Sequence, residues 1–238
     1  MVNRIEALEY LKKDIIKNVS IVNFIESYEC SLIERVGESV LVKGKSDRNW
    51  VYISSKSEKE LLKIKDILRE EDREFAVIEN WMLPILTYGK EVKWKLSSMR
   101  LYLPPKAAVN RPREITDNLT VDDAEYIYNN SDYKEYLSVD YITERIVNGV
   151  GSCIRDNGKP VGWALTQDDG AIGFLHVMPD FRKMGFATDI TLDIIKKIRK
   201  QGELPFVHIE ENNTASMNLA FGIGFVLHEV VSWFELEA

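Results

Sequence analysis

The stretch Val177-Met-Pro-Asp-Phe-Arg-Lys-Met-Gly-Phe-Ala-Thr188 joins two segments of different period. Upstream, Ala171-Ile-Gly-Phe-Leu-His-Val177 reads as a strand. Downstream, Ala187, Ile190, Ile194 and Ile198 recur at helical spacing. Arg182 and Lys183 stand where that helix is expected to begin. Cations there oppose the helix dipole, at about 0.3–1 kcal/mol each, and a sequence selected for stability alone would place Asp or Ser instead. An anion bound at the helix start reverses the sign. Gly185 lets backbone come close to a bulky ligand, so that the N–H groups of the turn can point at phosphate oxygens. Ala187 keeps the same space clear. A surface turn with a helix-start glycine is the competing reading. The order of strand end, Pro179, basic turn, glycine and helix favours the anion site.

Working outward, three strands precede this stretch. Ser152-Cys-Ile-Arg155, Pro160-Val-Gly-Trp-Ala-Leu-Thr166 and the strand ending at Val177 are separated by Asp156-Asn157-Gly158 and Asp168-Asp169-Gly170. Asn-Gly and Asp-Gly accept positive φ, so an antiparallel meander is expected. Before it, Thr120 with Asp123 reads as a helix start, and Tyr141 to Val147 as a helix stopped near Gly149. After it, Gly202 ends the helix that carries Lys196, Lys197, Arg199 and Lys200 in its last turns. A strand over 205–210, a helix with Ser216, Leu219, Ala220 and Ile223 on one face, and a strand over 226–236 complete the order.

Leu103-Pro-Pro-Lys-Ala-Ala108 reads as an extended linker between an N-terminal domain, residues 1–108, and a C-terminal one, 109–238. The first holds Ile5, Leu8, Leu11, Ile15, Val19 and Val22 at helical spacing. Short strands follow at Ser39 and Trp50. A second helix over Leu61, Ile64, Ile67 and Leu68 has Ser57 and Glu60 as a capping box. No catalytic constellation stands out in it. The fold class is α/β, with an α+β mixed sheet.

Composition narrows the function. The chain has 238 residues, 45% of them hydrophobic and 29% charged, an ordinary globular balance. Met1-Val2-Asn3-Arg4-Ile5-Glu6 has no leader-like apolar core, and no apolar run approaches the roughly 18 residues of a membrane helix. A cytoplasmic protein without membrane contact is expected. Cys30 and Cys153, with three histidines, make neither a disulfide framework nor a metal-ligand pattern. From Val109 onward 21 Asp and Glu outnumber 12 Lys and Arg. That argues against a nucleic-acid partner and suits an amine substrate.

Val177-Met-Pro-Asp-Phe-Arg-Lys-Met-Gly-Phe-Ala187 resembles the acyl-CoA loop of the GNAT superfamily of N-acyltransferases. Asn213-Thr-Ala-Ser-Met-Asn-Leu-Ala-Phe-Gly-Ile-Gly-Phe225 resembles that superfamily's next helix. The resemblance runs from about Arg111 to Ala238. Pro160-Val-Gly-Trp163, the loop with Pro179, Pro205-Phe-Val-His-Ile-Glu-Glu-Asn212 and Trp233 are similar, more narrowly, to the glycine N-acyltransferase-like family. Its N-terminal half has a related build without a cofactor loop of its own.

The resemblance implies the GNAT acyltransferase fold in the C-terminal half, and acetyl-CoA or another acyl-CoA as co-substrate, with no metal. The acyl thioester would lie where the strand 174–177 splays from the strand 206–210. Backbone at Leu175, His176 and Val177 would hold the acyl carbonyl. Arg182, Lys183, Met184, Gly185, Phe186, Ala187 and Thr188 would hold the pyrophosphate. Asn213 and Ser216 would lie near the pantetheine arm, while Asn213 reads equally as a helix cap. The acceptor would be an amine of a small molecule or a protein, and the chain a monomer or homodimer.

Two positions depart from the pattern. Ala220 stands where many GNAT enzymes carry an acidic tyrosine, and Ala171 where the glycine-acyltransferase family carries a carboxylate. His176 and Glu210 are the replacement bases the sequence offers, one by its ordinary pKa near 6.5 and the other through burial. Asp168 and Asp169 read first as turn residues. Two other functions stay open: a non-catalytic acyl-CoA-binding regulatory module, and an anion site for another nucleotide.

Overall fold

The structure is a computed structural model that describes residues 3–131, 134 and 137–237. Met1 and Val2 of the leader reading, and Ala238 at the end of the resemblance, lie outside the described residues. Contacts gather the chain into two compact units. One runs from the described N-terminus to Arg100 and includes Ile209–Asn212 and the chain from Leu227. The other is Leu101–His208 with Asn213–Val226.

The first unit opens with α1 (Arg4–Leu11), a 3-10 turn over Lys12–Asp14, and α2 (Ile15–Ser27). That turn breaks the single helical stripe expected from Ile5 to Val22, and leaves Ile5 63% exposed. Next come β1 (Cys30–Val36), β2 (Ser39–Lys45), β3 (Asn49–Ser54), α3 (Glu58–Ile67), β4 (Glu74–Glu79), the short α4 (Leu83–Leu86) and β5 (Val92–Tyr102).

Side chains alternate across these strands. Val40, Val42 and Tyr52 pack with α1 and α2 on one face, while Leu41, Val51 and Ile53 pack with Leu61 and Ile64 of α3 on the other. Burial on both faces is why these segments read as continuous apolar runs rather than alternating ones.

The second unit contains α5 (Ala124–Asn129) and α6 (Val139–Asn148), then β6 (Gly151–Asp156), β7 (Lys159–Thr166), β8 (Ile172–Val177), α7 (Phe186–Lys200), β9 (Phe206–Glu210) as far as His208, and α8 (Thr214–Ile223). The expected meander is present. β6, β7 and β8 pair antiparallel, and Asn157 and Gly158 adopt the positive φ that the first turn requires, 48° and 80°. The strand order in this unit is β9-β8-β7-β6, with β9 parallel to β8. One face carries Leu119, Ala124, Ile127, Ile142, Trp163 and Leu165. α7 covers the other with Ile190, Ile194 and Ile198 buried, close enough that a methyl on Gly162 would come within 3.0 Å of Ile190 Cδ1.

The last strand, β10 (Val226–Leu236), pairs antiparallel with β4, and its residues from Leu227 on belong to the first unit. The segment read as a linker is fixed within the second unit. Leu103 N–H donates to the Pro205 carbonyl at 2.9 Å, and the Arg199 guanidinium donates to the carbonyls of Pro104 and Ala107 at 3.0 and 2.9 Å. The paired prolines make it extended, but the guanidinium ties it down. Among the described residues no helix is long and apolar enough to cross a membrane.

Candidate functional site

β8 lies between β7 and β9, yet every residue from Gly173 to Val177 is partly exposed. Two features account for this. The parallel contact with β9 is at Ile172↔Val207, near the start of β8. And β8 carries one residue more than β7 between Leu165↔Gly173 and Trp163↔His176, a β-bulge at which Phe174 takes φ 54°. A bulge interrupts the ladder and bends the strand, and a bulky residue at positive φ is strained by about 1–2 kcal/mol. Leu175, His176 and Val177 follow it along the open part of the strand. The His176 ring stacks on Trp163 with centroids 4.8 Å apart.

The chain then turns through 178–185. Pro179–Phe181 form a 3-10 turn, and Arg182 Nε donates to the Val177 carbonyl at 3.0 Å. Lys183 and Gly185 are both left-handed, with φ 64° and 90°. α7 begins at Phe186, with Gly185 as its N-cap and no side-chain cap. Arg182 and Lys183 thus sit in the turn ahead of the helix rather than in its first coil. Asp189 is the acid of the first turn, 1% exposed. Arg182, Lys183 and Met184 are exposed; Phe186, Ala187 and Thr188 are half-buried at the helix start.

Asn213 caps α8, its side-chain oxygen accepting from Ser216 N–H at 3.1 Å. That oxygen therefore has the structural role that its position also suggested.

The sequence reading missed His208. Its Nε2 lies 3.0 Å from Asp169 Oδ2, and both side chains are 4% exposed. A carboxylate only accepts, so Nε2 donates in that bond. Asp169 also accepts from Ala171 N–H at 3.0 Å. The turn holding Asp169 is tied to α6, where Arg145 donates to the Gln167 carbonyl at 2.8 Å and Tyr141 Oη meets Asp168 at 3.3 Å. Ala171, the empty position of the carboxylate pattern, is therefore flanked by a buried His–carboxylate pair built from other residues. A histidine between Val207 and Ile209 in an apolar strand was the available signal. Its partner lies across the sheet and leaves no mark in local sequence.

Ala220 is buried near the end of α8, and Glu210 ends β9 half-buried. Burial pushes the Cys153 thiol up to about 11, which removes it as a nucleophile at neutral pH. Among the described residues no group of three His, Cys, Asp or Glu side chains is arranged to hold a metal ion.

The fold as a whole is matched in known proteins. The fold is shared with solved structures described as GNAT proteins and acetyltransferases. Residues 149–234 match the family model described as FR47-like protein. A Drosophila protein of known structure superposes with a TM-score of 0.82 over 99% of this chain and 97% of its own, at 14% identity. A GCN5-related N-acetyltransferase-like protein from Streptococcus suis gives 0.57 over 99% and 100%, at 16% identity. A tandem GNAT protein from the clavulanic acid biosynthesis pathway gives 0.51 over 92% and 87%, at 13%.

Proposed function

We propose that the protein transfers an acyl group, acetyl first, from coenzyme A to an amine of a small molecule or a protein. The observation that carries this reading is the opening along β8 that leads straight into the uncapped start of α7. In the proposed complex the N–H groups from Arg182 to Thr188 hold the pyrophosphate, with Lys183 and Gly185 supplying the left-handed turn that gathers them. Backbone at Leu175–Val177, just past the bulge, holds the thioester carbonyl and stabilises the charge that builds on its oxygen. Asn213 and Ser216 stand along the pantetheine arm.

The reaction is direct. The amine lone pair attacks the thioester carbon, a C–N bond forms, the C–S bond breaks, and coenzyme A leaves as thiolate. The nitrogen gives up a proton, and the thiolate takes one from water. His208, oriented by Asp169, is the proposed proton acceptor, since an imidazole held by a carboxylate suits general-base work. His176 and Glu210 remain the alternatives on the same two strands.

Titration with acetyl-CoA in a calorimeter, followed by thiol release against a panel of amines, tests the reading. Binding with turnover on at least one amine is expected. His208→Gln should lower turnover by on the order of 100-fold while acetyl-CoA affinity is kept. Absence of acetyl-CoA binding overturns the proposal. Ala171 and Ala220 favour a second reading, a non-catalytic acyl-CoA module, and tight binding without turnover on any amine would establish it.

A further inference from the structure

Arg113 comes from the segment that follows Leu103, far from the loop in sequence, yet its guanidinium lies over Gly185. A methyl group on Gly185 would stand 1.7 Å from Arg113 Nη2, so the arginine occupies the space that the glycine leaves clear. Its attachment has two parts of different strength. At the root, the Arg113 backbone N–H donates to Asp189 Oδ1 at 3.0 Å, and Asp189 is 1% exposed. That bond fixes where the side chain starts. At the head, Nη2 makes two long contacts, 3.2 Å to the Met184 carbonyl and 3.4 Å to Asp189 Oδ2, and the side chain is 67% exposed.

A guanidinium has five donors in a planar fork, and here the head is held by long contacts through a single nitrogen. It also sits at the start of α7, where Asp189 is its one anionic partner among the described residues, at 3.4 Å. Phosphate oxygens offer what the Met184 carbonyl does not: negative charge and bidentate geometry.

We propose that Arg113, which lies over Gly185, is a further ligand for the pyrophosphate of bound coenzyme A. This rests on the acyl-CoA reading above. The backbone bond to Asp189 Oδ1 sets the root, and the head offers its remaining donors to phosphate oxygen. The residue thereby adds a third source of pyrophosphate contacts, beside the turn 178–185 and the start of α7.

The test is calorimetric titration of the full chain with coenzyme A and with dephospho-coenzyme A, which keeps the pyrophosphate and lacks the 3′-phosphate. Arg113→Ala should weaken both by about tenfold, the scale of one charge-assisted contact, and flatten the dependence of affinity on salt. Arg113→Lys should recover part of the loss, since it restores charge without the fork. The backbone bond to Asp189 survives both substitutions, and unchanged melting temperatures without ligand would confirm that. Equal affinities in wild type and Arg113→Ala overturn the proposal. So does a loss seen with coenzyme A and not with its dephospho form, which would move the contact to the 3′-phosphate. A wild-type protein that binds neither ligand overturns the acyl-CoA reading and this inference with it.

Discussion

In the first unit β3 runs into α3 through Ser55, Lys56 and Ser57; in the second, β8 runs into α7 through 178–185. Both helices follow a three-stranded antiparallel meander, and both lead to a strand parallel to the one before. The two junctions differ in what they leave unsatisfied. Ser57 caps α3 by accepting from Glu60 N–H at 3.4 Å, with Glu58 and Glu60 in the first turn. The Glu60 carboxylate accepts from Ser39 Oγ at 2.7 Å and Glu38 N–H at 3.1 Å. β3 is buried from Trp50 to Ser54. At α7 no side chain caps the helix, two cations and a left-handed glycine precede it, and β8 is half open. One architecture thus yields a closed junction and an open one. Binding chemistry belongs where backbone donors lack a partner of their own.

The largest test of this contrast is Gly185→Trp. The side chain meets Arg113 and demands a φ that tryptophan resists, so acetyl-CoA affinity should fall by about 100-fold or more, on the order of 3 kcal/mol. Titration reads it directly, and retained affinity would break the comparison at its centre. Ser57→Ala tests the closed junction. It should cost about 0.5–1 kcal/mol in urea unfolding, with the shift in melting temperature caused by acetyl-CoA unchanged. A loss of binding there would mean that the first unit also serves the ligand. The smallest effect is expected from Lys183→Gly. Relief of its left-handed strain, offset by extra freedom in the unfolded chain, should stabilise the ligand-free protein by about 0.5 kcal/mol. Affinity for acetyl-CoA should fall a few-fold as the charge is lost. Stability and binding moving together would deny that strain in this turn is kept for the ligand.

Much of this was legible because it is local. Asn157-Gly158 announced its turn, the 187–198 stripe announced α7, and Thr120 with Asp123 formed the capping box read from their spacing. Ser57 was read correctly as a cap, but Glu60 turned to Ser39 on β2 instead of back to its own helix start. What stayed hidden depends on distant residues. The bulge at Phe174 shifts the alternation of β8, so that Gly173 and His176 lie opposite Leu165 and Trp163 of one face; phenylalanine gives no local sign of positive φ. His208 and Arg113 acquire their settings from Asp169 and Asp189, which only the fold brings near. β10 follows the cofactor motifs in sequence but from Leu227 on joins the first unit, and no contiguous reading shows a strand returning.

That return has a consequence for how the protein is made. Phe75 of β4 stacks on Phe234 of β10, with ring centroids 4.6 Å apart, and both are fully buried. The first unit to leave the ribosome therefore waits for the end of the second before it can close. Until then β4 presents an unpaired edge beside exposed apolar side chains, the condition in which nascent chains aggregate or recruit chaperones.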